Sequence, residues 1–131
     1  MDPEMPRQHV LYLDDEWQLV MLARCALERL GYQVSAFTLA TEALTAFKSD
    51  PSQYDLVVTD YNMPGVSGLD LARELLALRP GLPVLLVSGY ISEELKANAR
   101  DAGVSGLIYK PTTIDELGDA VHRFVAMQHK T

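Results

Sequence analysis

The chain reads as an α/β domain: a parallel sheet of five strands, each followed by a helix, with helices on both faces. Three observations predict this. Short apolar runs such as Val10-Leu11-Tyr12-Leu13 and Val84-Leu85-Leu86-Val87 are continuous rather than alternating, as in strands covered on both faces. Between these runs, apolar residues recur at helical spacing. The two patterns then alternate strictly five times, which implies right-handed crossovers and parallel pairing.

Residues 1–8, with Pro3 and Pro6, predict a disordered N-terminal extension ahead of a single domain over 9–129. The first strand, Val10 to Leu13, ends in Asp14-Asp15-Glu16. The first helix carries Val20, Ala23, Leu27 and Leu30 on one face and stops at Gly31. Cys25, beside Ala26, is expected to be a small core residue. Tyr32 to Ala36 is a weaker, less apolar strand, placed near an edge. Ala40, Ala43, Leu44 and Phe47 mark the second helix, which ends before Pro51.

The third strand, Asp55 to Asp60, runs into the Pro/Gly-rich loop Met63-Pro64-Gly65. Leu69, Ala72 and Leu76 share a face of the third helix, closed by Arg79-Pro80-Gly81-Leu82-Pro83. The fourth strand, Val84 to Val87, ends in Ser88-Gly89. Ser92 is placed to cap a fourth helix carried by Leu95, Ala99 and Ala102. Gly106 to Tyr109 is the fifth strand, ending at Lys110-Pro111. Thr113 and Glu116 form a capping box for the last helix, whose inner face is Ile114, Leu117, Val121 and Phe124. For five such strands the flavodoxin-like order 2-1-3-4-5 is expected, with strands one and three side by side at the switch point.

Composition bounds the function. With 131 residues, 48% hydrophobic and 22% charged, the chain is one globular domain able to bury a core. A net charge of −7 argues against a nucleic-acid surface, which is normally basic. A single cysteine cannot form an internal disulfide and suggests a reducing compartment. No apolar run approaches the roughly 20 residues of a membrane helix, and MDPEMPRQ lacks a signal-peptide pattern. A cytoplasmic domain without direct membrane contact is expected.

Polar groups cluster at strand ends: Asp14 and Asp15 after the first, Asp60 after the third, Ser88 after the fourth, Lys110 after the fifth. Each has an ordinary explanation alone, as a helix cap or turn residue. Together they lie on the rim where open α/β sheets bind ligands. If strands one and three are neighbours, three carboxylates converge, and a divalent cation relieves their repulsion. Hard oxygen ligands favour Mg2+, which uses one or two carboxylates plus a phosphate. Lys110 supplies a point positive charge and Ser88 a hydroxyl donor, both suited to a phosphoryl group. A carboxylate nucleophile completes the set.

At these residues the chain resembles a known family. Asp14-Asp15, the DYNMPGVSGLDL stretch, Val87-Ser88-Gly89 and Lys110-Pro111 are similar to the receiver domain of two-component response regulators. The likeness covers roughly residues 8–128, with its motif positions in order. It implies a regulatory phosphoacceptor that assists its own phosphotransfer and dephosphorylation rather than an enzyme acting on others. By that resemblance Asp60 is the phosphoacceptor. Asp15, Asp60 and the backbone carbonyl of Asn62 bind Mg2+ directly, and Asp14 acts through water. Ser88 is the hydroxyl switch residue, Lys110 the phosphoryl-oxygen partner, and Lys110-Pro111 a cis peptide aiming the lysine inward.

The implied partner is a sensor histidine kinase or a histidine phosphotransfer domain. The face of helix 4, strand 5 and helix 5 is the implied switch surface and a candidate homodimer contact. The LLALRPGLPVLLVSGY stretch is most similar to receivers attached to hybrid sensor kinases, which would tether the domain to a membrane sensor.

Two departures stand out. The family's switch aromatic falls at Leu107 here, with Tyr109 two residues on and on the same strand face. Thr112 stands where the family often has Phe. Tyr90 and Asn62 occupy positions that tune phosphoryl lifetime in the family, Tyr90 as a candidate shield. Two other readings stay open: a phosphorylation-independent binding module, kept alive by Leu107, and an Mg2+-dependent Asp-nucleophile phosphohydrolase. The second lacks its usual acid, since Asn62 holds that place.

Overall fold

Strands and helices alternate from end to end: β1 (His9–Leu13), α1 (Trp17–Arg29), β2 (Gln33–Phe37), α2 (Ala40–Ser49), β3 (Leu56–Asp60), α3 (Gly68–Leu78), β4 (Val84–Ser88), α4 (Glu93–Ala102), β5 (Gly106–Tyr109) and α5 (Ile114–Gln128). A single 3-10 turn, Pro51–Gln53, lies between α2 and β3. The computed structural model describes residues 8–110 and 113–128. All pairings are parallel, in the order β2-β1-β3-β4-β5. This is the flavodoxin-like order expected, with β2 at the edge where its weak apolarity placed it.

The period of two along each strand divides the core. Val10 and Tyr12 of β1, Val58 of β3 and Val87 of β4 face one side, under Val20, Ala23 and Leu27 of α1 and Leu117 and Val121 of α5. Leu11, Leu13, Val57 and Val84 face the other, under Ala43 and Phe47 of α2 and Leu71, Ala72 and Leu75 of α3. A smaller cluster of Leu69, Leu86, Leu95 and Ala99 seats α4, with Leu107 packed against it. The three central strands are therefore buried on both faces, which explains their unbroken apolar runs.

Caps fix the helix starts. Ser67 Oγ accepts the Asp70 N–H at 3.1 Å, and Ser92 Oγ accepts the Leu95 N–H at 3.0 Å as predicted. Thr113 Oγ1 accepts the Glu116 N–H at 3.2 Å, one half of the predicted capping box. Gly103, in the left-handed region at φ 94°, ends α4.

Several expectations need correction. Cys25 is exposed, not a core residue, because it follows Trp17 and Met21 at intervals of four on the outer face of α1. Leu30 is the C-cap of α1, beyond its last turn, and is largely exposed. On α3, Leu76 is half-buried against the core beside buried Leu69 and Ala72, and Leu71 and Leu75 are buried as well. β1 begins at His9, which is buried rather than preceding the strand. Its Nε2 lies 2.6 Å from Ser35 Oγ, and its backbone N–H donates to Asp55 Oδ2 at 2.8 Å. On α5, His122 Nδ1 lies 2.8 Å from the Tyr32 hydroxyl. β2 is displaced by one residue, to Gln33–Phe37, and Asp55 falls just outside β3. Gln8, assigned to the N-terminal extension, accepts the Gln33 N–H on its carbonyl at 2.9 Å. The rest of that extension, the Lys110-Pro111 cis peptide, Thr112 and His129 lie outside the described residues.

Candidate functional site

Because β1 and β3 are adjacent and Leu13 pairs with Thr59, the next residues, Asp14 and Asp60, emerge side by side at the C-terminal rim. Both are almost fully buried, at 3% and 4% exposure, while Asp15 is exposed. One carboxylate oxygen from each of Asp14, Asp15 and Asp60 lies within 4.8 Å of the others. Asp14 Oδ1 accepts the Glu16 N–H at 3.0 Å, which fixes that carboxylate at the entry to α1. Lys110 leaves β5 two strands away, its N–H donating to the Ser88 carbonyl at 2.8 Å. Its Nζ stands 3.6 Å from Asp60 Oδ1 and 3.9 Å from Asp14 Oδ2. These are long separations for an ion pair, leaving space between the charges.

Three carboxylates face one ammonium, so the site is under-neutralised. Burial, then the charge of Asp14 and to a lesser degree that of Asp15, push the Asp60 carboxyl up to about 6, with Lys110 opposing them. Asp14 is raised too, chiefly by burial, against the Glu16 N–H and Lys110. A hard divalent cation would remove this repulsion, and an all-oxygen donor set at this spacing fits Mg2+.

Ser88 ends β4 and is buried. Its hydroxyl donates to the Tyr90 carbonyl at 2.7 Å and accepts the Tyr90 N–H at 3.3 Å, so it is engaged in its own turn. Tyr90 is 77% exposed and Tyr109 63% exposed. Leu107, half-buried against the α3–α4 cluster, takes the inward place on β5. Asn62 is exposed in the β3–α3 loop.

Two residues of the site escaped the sequence reading. Thr59 Oγ1 donates to the Asp60 carbonyl at 3.1 Å, and Gly68 N–H donates to the Tyr61 carbonyl at 2.8 Å. Thr59 looks like an ordinary β-branched strand residue and gave no signal. Gly68 had one: a glycine in the first turn of a helix with no turn of its own to make.

A 2-1-3-4-5 sheet with three carboxylates at its switch point and a lysine facing them is the arrangement of a receiver-type phosphoryl-accepting domain. The sequence matches the response regulator receiver domain family over residues 10–122, and the chain belongs to that family. It is 37% identical over 114 residues to the C4-dicarboxylate transport transcriptional regulatory protein DctD of Rhizobium meliloti (strain 1021), covering 87% of this chain and 24% of that protein. It is 33% identical over 125 residues to the aerobic respiration control sensor protein ArcB of Escherichia coli (strain K12), covering 94% of this chain and 16% of that protein. The chain thus spans a quarter or less of these relatives.

Among solved structures, a CheY-like response regulator receiver domain protein from Methanospirillum hungatei JF-1 superposes with a TM-score of 0.84 at 26% identity, covering 95% of this chain and 98% of that one. A receiver domain from Clostridium thermocellum gives 0.81 at 27% identity, covering 92% and 96%. The chain is a receiver domain of two-component signalling, a regulatory family that generally carries Mg2+ at an acidic cluster of this kind. Among the described residues, no helix is long and apolar enough to cross a membrane.

Proposed function

We propose that Asp60 accepts a phosphoryl group from a phosphohistidine donor, a histidine kinase or a phosphotransfer protein, in an Mg2+-dependent reaction. The carrying observation is the convergence of Asp14, Asp15 and Asp60 within 4.8 Å, with Lys110 Nζ 3.6 Å from Asp60. In the transfer an Asp60 carboxylate oxygen forms the O–P bond as the donor's N–P bond breaks. The electron pair returns to the imidazole nitrogen. Asp15, Asp60 and the Asn62 carbonyl would hold Mg2+, with Asp14 acting through water, and the bound ion would supply positive charge to the phosphoryl oxygens. Lys110 supplies the second positive charge, on the β5 side, and its side chain is one-third exposed and free to reach a larger group.

Once formed, the phosphoryl group adds about 1.5 to 2 negative charges and offers acceptors to Ser88 and Lys110. Ser88 can meet it only by leaving the Tyr90 carbonyl, which undoes the turn that leads into α4. The α4–β5–α5 face is the surface this rearranges, a population shift driven by contacts made in one state only. The position of Tyr90, outward and exposed, gives it little shielding of Asp60 in the unphosphorylated form.

Intact mass after incubation with acetyl phosphate tests the reading. One added phosphoryl group is expected in wild type with Mg2+, and none without Mg2+ or in Asp60→Asn. A parallel titration with beryllofluoride covers rapid hydrolysis. Failure of wild type to take up either species would overturn the proposal in favour of a phosphorylation-independent module.

A further inference from the structure

Where β3 hands over to α3, the backbone approaches itself more closely than a side chain allows. A Cβ on Gly68 would lie 2.2 Å from the Asp60 carbonyl oxygen, 3.0 Å from its carbon and 3.1 Å from Tyr61 Cα. Gly68 is not among the residues with positive φ, so the requirement there is space. All three obstructing atoms are backbone and cannot rotate aside. At Gly89, beside Ser88, an added Cβ meets nothing within 4 Å.

We propose that Gly68 is a positioning residue for the acidic site. By letting the first turn of α3 seat against the Asp60 peptide, it sets where the Asp60 carboxylate and the loop after it stand relative to Asp14 and Asp15. The inference rests on the reading of these residues as an Mg2+ and phosphoryl site.

The Asp60–Tyr61 backbone is held from several directions. Tyr61 N–H donates to the Val87 carbonyl at 2.8 Å, and Thr59 Oγ1 donates to the Asp60 carbonyl. Gly68 closes the remaining side through its bond to the Tyr61 carbonyl. The loop of residues 62–67 leaves and returns across that one bond, so the place of Asn62 depends on it. The helix does not need Gly68 for anchorage, because Leu69, Leu71, Ala72 and Leu75 are all buried.

A methyl group at position 68 therefore leaves α3 in place as a helix and opens the gap at Asp60. Ordinary contact needs roughly 1 Å more room than is there. Mg2+ demands near-ideal octahedral geometry, and disturbing groups that orient metal ligands commonly costs 10- to 100-fold in affinity.

The experiment is an Mg2+ titration followed by emission of Trp17, the single tryptophan, two residues past Asp15. Wild type, Gly68→Ala and the α3 core variant Leu75→Val are compared, with folding checked by far-UV circular dichroism. Gly68→Ala is expected to stay folded and bind Mg2+ 10- to 100-fold more weakly, with Leu75→Val unchanged. Wild-type affinity in Gly68→Ala, or an equal loss in Leu75→Val, overturns the inference.

Should Gly68→Ala not fold, hydrogen exchange of the Gly68 amide in wild type decides. It is expected to slow when Mg2+ binds, and an unchanged rate overturns the inference. A wild type that binds no Mg2+ sinks the reading of the site itself, an outcome distinct from both variant results.

Discussion

Replacing Asp60 by Asn should stabilise the metal-free protein, although it removes the carboxylate proposed to accept the phosphoryl group. The folded-state Asp60 carboxyl is pushed from 3.8 to about 6, first by burial and then by Asp14. Because the folded value lies above the unfolded one, the folded state holds the extra proton between the two. Stability from this group therefore falls as pH rises from about 4 to about 6 and is fully lost above that. At about 1.4 kcal/mol per pH unit, ionising Asp60 costs about 3 kcal/mol at pH 7.5.

Asn has nearly the same shape and no charge, so it leaves no cavity and relieves that cost. In urea, with a slope of about 2 kcal/mol per molar, the midpoint of Asp60→Asn should lie about 1.5 M above wild type at pH 7.5 in chelator. The difference should shrink to about 1 kcal/mol at pH 4.5, where the wild-type carboxyl is largely protonated when folded. Mg2+ should narrow the gap at pH 7.5 by stabilising wild type more than the variant, which has lost one of the three carboxylates. A variant no more stable than wild type at pH 7.5, or a gap that ignores pH, would refute the reasoning.

Lys110→Ala removes the positive charge 3.6 Å from Asp60; Mg2+ should bind more tightly by Trp17 emission, while phosphorylation by acetyl phosphate slows about 100-fold. Ser88→Ala should leave phosphorylation within about tenfold, yet abolish the change in hydrogen exchange at Tyr90 and α4 on adding beryllofluoride. Retention of that change would remove Ser88 from the switch. Arg79 Nη1 donates to the carbonyls of Pro51 and Tyr54 at the opposite end of the sheet, so Arg79→Ala should cost about 2 kcal/mol in urea with Mg2+ affinity unchanged. A fall in affinity there would show that the two ends are coupled.

Much of this architecture was legible because burial on two faces writes itself into a strand as continuous apolarity, and each such run ended on a polar residue. Asp14, Asp60 and Ser88 stand at the ends of three such runs, and Lys110 follows the half-buried strand β5. What the pattern could not convey is which apolar residues of a helix stay outside. Trp17, Met21 and Leu22 are exposed on α1, and a stripe of Val20, Ala23 and Leu27 suffices to cover its share of the sheet. Buried apolar residues are the rule, but exposed ones are common, so Cys25 and Leu30 carried no mark. Partners distant in sequence were equally silent: His9 reads as a polar residue outside a strand until Ser35 and Asp55 are folded against it. Gly68 belongs with these, since its reason is a carbonyl eight residues away.

The site gives up stability to hold its charges together. Two buried carboxylates next to an exposed one are an arrangement that folding alone would not favour, since each raises the other's cost of ionisation. The same repulsion is what a cation relieves. Coupling outward is narrower. With Leu107 filling the inward place on β5, a change at Asp60 has no large ring to turn between β5 and α4. The proposed connection is the Ser88 hydroxyl in its turn with Tyr90, two residues ahead of the Ser92 cap of α4. That helix rests on few buried side chains, Leu95 and Ala99, against five buried residues on α3. A helix so lightly held is the element that the proposed exchange of the Ser88 hydrogen bond would move most readily.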